Sequence, residues 1–176
     1  MLSTRVDQLA ATDRSRIGDL YLRHADAAVR LAYLLTGDLG VAEDIVQDAF
    51  IRLAGRLVHL RDPGAFDAYL RTTVVNFSRS YFRRKRLERS YLQRARSAVV
   101  PEAGSPARSM EDREELWQAL SRLSQRQRAA IVLRFYEDLS EAQVAEILKC
   151  RPGTVKSLVS RGLEALRNEM GGMSDD

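Results

Sequence analysis

Along nearly the whole chain apolar residues recur at steps of three and four, and alternating strand-like runs are almost absent, so the pattern predicts an all-α fold. A first helix carries Ile17, Leu20, Tyr21, Ala28, Leu31, Ala32 and Leu35 on one side. It is expected to stop at Thr36-Gly37-Asp38, where Gly37 can take the left-handed terminating conformation. A second helix, from Val41 to about Leu57, has Ala42, Ile45, Val46, Ala49 and Leu53 as its buried stripe. Pro63-Gly64 then marks a turn. A third helix is expected from Ala65 through Arg86, with Phe66, Leu70, Val74, Phe77 and Tyr81 facing the core.

Residues 97–109 break this pattern. They are small and polar, contain Pro101 and Pro106, and carry no helical stripe, which reads as a linker. The chain therefore divides into two small helical domains, 1–96 and 110–176. Trp117, Leu116, Leu120 and Leu123 form the apolar face of the helix that opens the second domain. Ser124-Gln125-Arg126-Gln127 and Ser140-Glu141-Ala142-Gln143 both fit the capping box, marking two helix starts. The first helix bears Ile131, Leu133 and Phe135, and the second Val144, Ala145, Ile147 and Leu148. Lys149-Cys150-Arg151 makes a turn, Pro152 suits a first helical turn, and a last helix runs from about Gly153 to Asn168. Val155, Val159, Leu163 and Leu166 are its inner stripe. Lys156, Ser157, Ser160 and Arg161 lie outward, as on a helix-turn-helix recognition helix; helix pairs joined by short turns also occur in plain bundles.

Two other faces are unusual. Asp44, Gln47, Asp48 and Ile51 share one side of the second helix, and an acidic face with an isoleucine in it suits a docking partner. An ordinary solvated face with one stray apolar residue is the alternative. On the third helix Thr72, Asn76, Arg79 and Arg83 form a polar and basic face that suits a phosphate backbone and unpaired bases. Phe77, Tyr81 and Phe82 invite a base-stacking reading, but aromatics at helical spacing belong more often to a core.

Charge sharpens this picture. The 176 residues carry a formal net charge of only +4. Between Ser78 and Ser97, however, eight basic residues face the single acid Glu88, a net of +7 on a body of −3. A segregated basic block points to a polyanion. With 45% hydrophobic and 30% charged residues the composition is that of a globular protein. No stretch approaches the roughly 20 apolar residues that span a bilayer. Met1 to Arg16 lacks the apolar run of a signal peptide, so a cytoplasmic location is expected. His24, His59 and Cys150 are scattered, and no glycine-rich phosphate loop is present, so neither metal, cofactor nor catalysis is expected.

Two stretches carry a resemblance. Ala42-Glu43-Asp44-Ile45-Val46-Gln47-Asp48-Ala49-Phe50 resembles conserved region 2 of the sigma-70 family of bacterial transcription initiation factors. Leu139 to Leu148, followed by Gly153-Thr154-Val155-Lys156-Ser157, resembles region 4. Both occur in order, without the other sigma regions, so the chain looks like an extracytoplasmic-function (group 4) sigma factor. Leu34 to Asp38 and Tyr136 to Ser140 look like the actinobacterial subgroup.

The resemblance implies a promoter-specificity subunit of RNA polymerase, silent without the core enzyme. Asp44, Gln47, Asp48 and Ile51 would dock on the β′ clamp helices, and the first apolar helices of the second domain would hold the β flap tip. The loop from Leu60 and Arg61 to Phe66, with Thr72 and Asn76, would engage the −10 element. Arg79, Arg83, Arg84 and Arg86 would grip phosphates nearby. Arg151, Thr154, Lys156, Ser157, Leu158, Ser160 and Arg161 would face the −35 element. An anti-sigma factor would be a further partner. Relatives commonly carry a second basic residue after the Lys-Ser pair and an aromatic two positions later; Leu158 and Ser160 stand there, which implies a shifted −35 preference. The competing readings are a stand-alone helix-turn-helix regulator, expected to bind duplex DNA unaided, and an enzyme or RNA-modifying factor using the basic block.

Overall fold

The computed structural model describes residues 2–55, 65–95 and 117–171, with side chains over 17–55, 65–91 and 117–168. The described residues form α1 (Leu2–Thr36), α2 (Leu39–Ala54), α3 (Ala65–Ala95), the short α4 (117–121), α5 (Gln125–Ile131) with a π-helical turn Val132–Tyr136, α6 (Glu141–Leu148) and α7 (Pro152–Gly171). Contacts divide the chain into two units, Met1–Ser78 and Arg79–Asp176, the division falling within α3. The expected linker at 97–109 and the Pro63-Gly64 turn lie outside the described residues.

In the first unit, α1 ends where Gly37 takes φ 76° and its N–H bonds the Tyr33 carbonyl at 2.7 Å. The Asp38 carboxylate then accepts from the Val41 N–H at 3.0 Å and caps α2, which starts at Leu39 and closes on Gly55 rather than near Leu57. The expected stripe of α2 is buried, joined by Phe50. An aromatic chain runs through this core: Tyr21 to Phe50 at 4.9 Å, Phe50 to Phe66 at 5.8 Å, and Phe66 to His24 at 5.5 Å between ring centroids. Beside it, Asp67 receives Arg71 at 2.6 Å and lies 3.6 Å from His24 Nδ1, tying α3 to α1.

Two core expectations on α3 need correction: Phe77 and Tyr81 are only half-buried, while Val75 and Ser78 are inside. Each step of four along a 3.6-residue helix turns the contact line by about 40°. From Phe66 through Leu70 and Val74 the line therefore arrives at Ser78 and leaves Phe77 at its edge. The buried Ser78 hydroxyl donates to the Val74 carbonyl at 2.9 Å. Neither proline nor glycine interrupts 65–95, and α3 runs on to Ala95 instead of ending at Arg86.

In the second unit both expected capping boxes form. Ser124 N–H donates to Gln127 Oε1 at 3.0 Å and Ser140 N–H to Gln143 Oε1 at 2.8 Å, with each glutamine N–H returning to the serine hydroxyl. The π-helical turn, closed by Glu137 N–H on the Val132 carbonyl at 3.1 Å, alters the expected apolar face. Leu133 stays buried, but the wider turn carries Phe135 outward to 59% exposure, with Tyr136 beside it. After α6, Lys149 takes the left-handed conformation at φ 52° and turns the chain into α7. α7 lies against α5 and α6 with Val155 fully buried. Gly162 permits the approach to α5, because a Cβ there would stand 2.5 Å from Ile131 Cδ1.

Candidate nucleic-acid interface

α7 presents the group expected to face the −35 element. Counting about 100° per residue from buried Val155, Ser157 and Ser160 stand nearly opposite the core, flanked by Lys156 and Arg161. All four are exposed, as is Arg151 just before the helix; Thr154 is half-buried. Ser157 donates its hydroxyl to the Gly153 carbonyl at 3.0 Å, leaving its lone pairs to accept. Short side chains occupy the centre of this face and the two cations its flanks, a pattern that suits close approach to base edges with charges beside phosphates. Leu158 sits on the shoulder of the buried side and is half-buried.

α3 carries the second surface. Thr72 and Asn76 are half-exposed, while Arg79, Arg83, Arg84 and Arg86 are exposed. The Thr72 hydroxyl donates to the Ala68 carbonyl at 2.8 Å. Arg79 Nη1 donates to the Leu148 carbonyl at 3.4 Å, within the second unit. Tyr81 is engaged by Lys85, whose Nζ donates to the phenol oxygen at 3.1 Å. Leu60 and Arg61 lie outside the described residues. Phe66, expected among the base contacts, is 1% exposed between Phe50 and His24, and so anchors the start of α3 instead of presenting a ring to a base.

Sequence reasoning passed over Tyr69. It lies three residues before Thr72 and seven before Asn76, hence on their side of α3, and its ring is 55% exposed. The same spacing is readable in the sequence, whereas Phe77 and Tyr81 stand half-buried at the edge of the core.

α2 supplies the third surface. Asp44, Gln47, Asp48 and Ile51 are all exposed, with Ile51 at 65%, on the side opposite the buried stripe. Among the described residues no group of three or more His, Cys, Asp or Glu side chains is placed to hold a metal ion. No helix among them is long and apolar enough to cross a membrane.

Comparison with known proteins gives these surfaces a common frame. Residues 20–88 match the family profile described as Sigma-70 region 2, and residues 113–166 that of Sigma-70, region 4. The chain is 34% identical over 145 residues to the RNA polymerase sigma-E factor of Streptomyces avermitilis, covering 82% of this chain and 79% of that one. It is 28% identical to the ECF RNA polymerase sigma factor SigW of Bacillus subtilis, over 97% of both chains. Among solved structures, the sigma factor RpoE of Bartonella quintana, crystallised with the anti-sigma factor NepR, superposes with a TM-score of 0.69 at 26% identity, covering 88% of this chain and 96% of that one.

Proposed function

The chain belongs to the sigma-70 family of RNA polymerase sigma factors, and from that premise we propose how its residues divide the work of promoter recognition. Members of the family are transcription initiation factors, not enzymes, and this chain recognises promoters and starts transcription as a subunit of RNA polymerase. The observation that carries the reading is the occurrence of both region matches, in order, on one chain. The same matches support the division into a region 2 domain at 1–96, a linker at 97–109 and a region 4 domain at 110–176. Action on promoters as a polymerase subunit supports a cytoplasmic location.

On this reading Asp44, Gln47, Asp48 and Ile51 dock on the β′ clamp helices. The exposed Phe135 and Tyr136 of the π-helical turn are the apolar offering to the β flap. Thr72, Asn76 and, in sequence before α3, Leu60 and Arg61 engage unpaired −10 bases, and Arg79, Arg83, Arg84 and Arg86 hold phosphates beside them. Unstacking costs on the order of a few kcal/mol per base step, and capture of flipped bases offsets it without any fuel. The Bartonella relative was solved with an anti-sigma factor, which supports that class as a second partner here.

The test is association with bacterial core RNA polymerase on a sizing column. Wild type is expected to co-elute, and Asp44→Ala/Asp48→Ala to weaken the complex roughly tenfold, about 1.4 kcal/mol. No association, together with nanomolar duplex binding by the free protein, would instead identify a stand-alone helix-turn-helix regulator.

The −35 face leads to a second expectation. Arginine can form a bidentate guanine contact worth about 1–3 kcal/mol of discrimination, and leucine cannot. With Leu158 half-buried and Lys156 and Arg161 on phosphates, base choice falls to the serines. Leu158→Arg is expected to change the preferred base at one −35 position when holoenzyme selects from a randomised library. An unchanged consensus counts against it.

A further inference from the structure

Arg52 stands next to Ile51 in the last turn of α2, and its guanidinium carbon lies 5.7 Å from the centre of the Phe77 ring. Phe77 in turn follows Asn76 on α3. One contact within the first unit therefore joins a neighbour of the polymerase-docking face to a neighbour of the base-reading face. Phe77 is free to receive Arg52 because the core line of α3 has turned onto Val75 and Ser78.

α2 thus holds α3 at two points. Phe50 meets buried Phe66 at the start of α3, and Arg52 covers Phe77 eleven residues on, about 16 Å along the helix axis at 1.5 Å per residue. A single contact lets a helix pivot; a second contact three turns away resists both tilt and rotation. Asn76 lies beside that second contact. A planar cation over an aromatic face is directional, whereas the burial of Val74 and Val75 sets distance more than angle.

We propose that Arg52 is a positioning residue: its guanidinium over Phe77 holds the Asn76 segment of α3 in the orientation that captures unpaired −10 bases, and so links polymerase docking to promoter melting. The proposal rests on the sigma reading above. A bland role for Arg52, a solvated cation at a helix C-terminus that interacts with the helix dipole, predicts no selective effect on melting.

The experiment compares wild type, Arg52→Gln, Arg52→Lys, Phe77→Leu and the Arg52→Gln/Phe77→Leu pair. Core polymerase affinity is measured first. Permanganate reactivity of −10 thymines then reports melting at saturating core, on a promoter fragment selected by wild-type holoenzyme. Arg52→Gln is expected to leave core affinity within twofold and to lower melting three- to fivefold. Arg52→Lys restores most of the loss, Phe77→Leu reproduces it, and the pair loses no more than either alone. Unchanged melting in Arg52→Gln, a parallel fall in core affinity, or additive losses in the pair would overturn the positioning role. If wild type itself fails to bind core, the sigma reading falls first and this proposal with it.

Discussion

Arg128→Met is expected to remove about 1–3 kcal/mol from the stability of the second unit, the scale of leaving the buried carbonyls it binds without their donor. Arg128 is 6% exposed, deep enough that its guanidinium has exchanged water for protein. Nε donates to the Leu120 carbonyl at 3.0 Å, and Nη2 to the Ser121 carbonyl at 3.2 Å and the Leu123 carbonyl at 3.4 Å. These carbonyls lie in the last turn of α4 and just past it, where the helical ladder runs out; that of Leu120 also accepts from the Leu123 N–H at 3.1 Å. The same group lies 4.6 Å from the Trp117 ring and 5.9 Å from the Phe82 ring. Methionine fills the space but donates nothing.

Burial pushes the Arg128 guanidinium down from its ordinary value to about 10, so the side chain remains charged at neutral pH. That shift is unfavourable to folding: the unfolded chain binds the proton more tightly, and the cost of burying the charge is relieved only as pH rises above about 10. The carbonyls and rings must therefore more than offset that cost. Lysine keeps a cation but lacks the planar fork, and Arg128→Lys should recover less than half of the loss. Urea denaturation followed by circular dichroism measures both variants. A loss below about 1 kcal/mol in the methionine variant would show that solvent or repacking satisfies the α4 carbonyls.

Arg128 also shows where sequence reading stops. The stripe of Ala42, Ile45, Val46, Ala49 and Leu53 and the two capping boxes were legible because each depends on residues within a turn or two. The exposed faces of α2 and α7 follow from the same periodicity, since whatever opposes a buried stripe meets solvent. Arg128 lies one residue after a capping box and reads as one more surface cation in Gln125-Arg126-Gln127-Arg128. Its burial depends on α4 ending within reach, which no local pattern encodes. The π-helical turn at Val132–Tyr136 was hidden for a related reason. One inserted residue's worth of backbone shifts Phe135 off the face that a uniform 3.6-residue repeat assigns to it. Phe77 leaves the expected core through the slow drift of the same repeat: Phe66 lies on the core line where α3 begins, and Phe77 stands at its edge three turns later.

Tyr69→Ala is expected to lower promoter melting by holoenzyme about 5- to 150-fold, the effect of about 1–3 kcal/mol of aromatic stacking on an unpaired base. The ring projects from the side of α3 that bears Thr72 and Asn76, one turn nearer the N-terminus of the helix, and more than half of it faces solvent. An exposed tyrosine among polar neighbours gives little to the fold, so the alanine variant should unfold within about 0.5 kcal/mol of wild type. Core binding should also be unchanged, because the proposed docking face is on α2. Phenylalanine provides the same stacking surface and should retain most activity, whereas leucine, apolar but without a π face, should not. The assay is permanganate reactivity at saturating core, with core affinity and thermal unfolding measured in parallel. If Tyr69→Leu melts DNA as well as Tyr69→Phe, stacking is excluded and the residue acts by bulk alone; if Tyr69→Ala matches wild type, base capture belongs to Thr72, Asn76 and the residues before α3 without it. A selective defect in alanine and leucine, spared in phenylalanine, assigns Tyr69 to the base whose exposure opens the promoter.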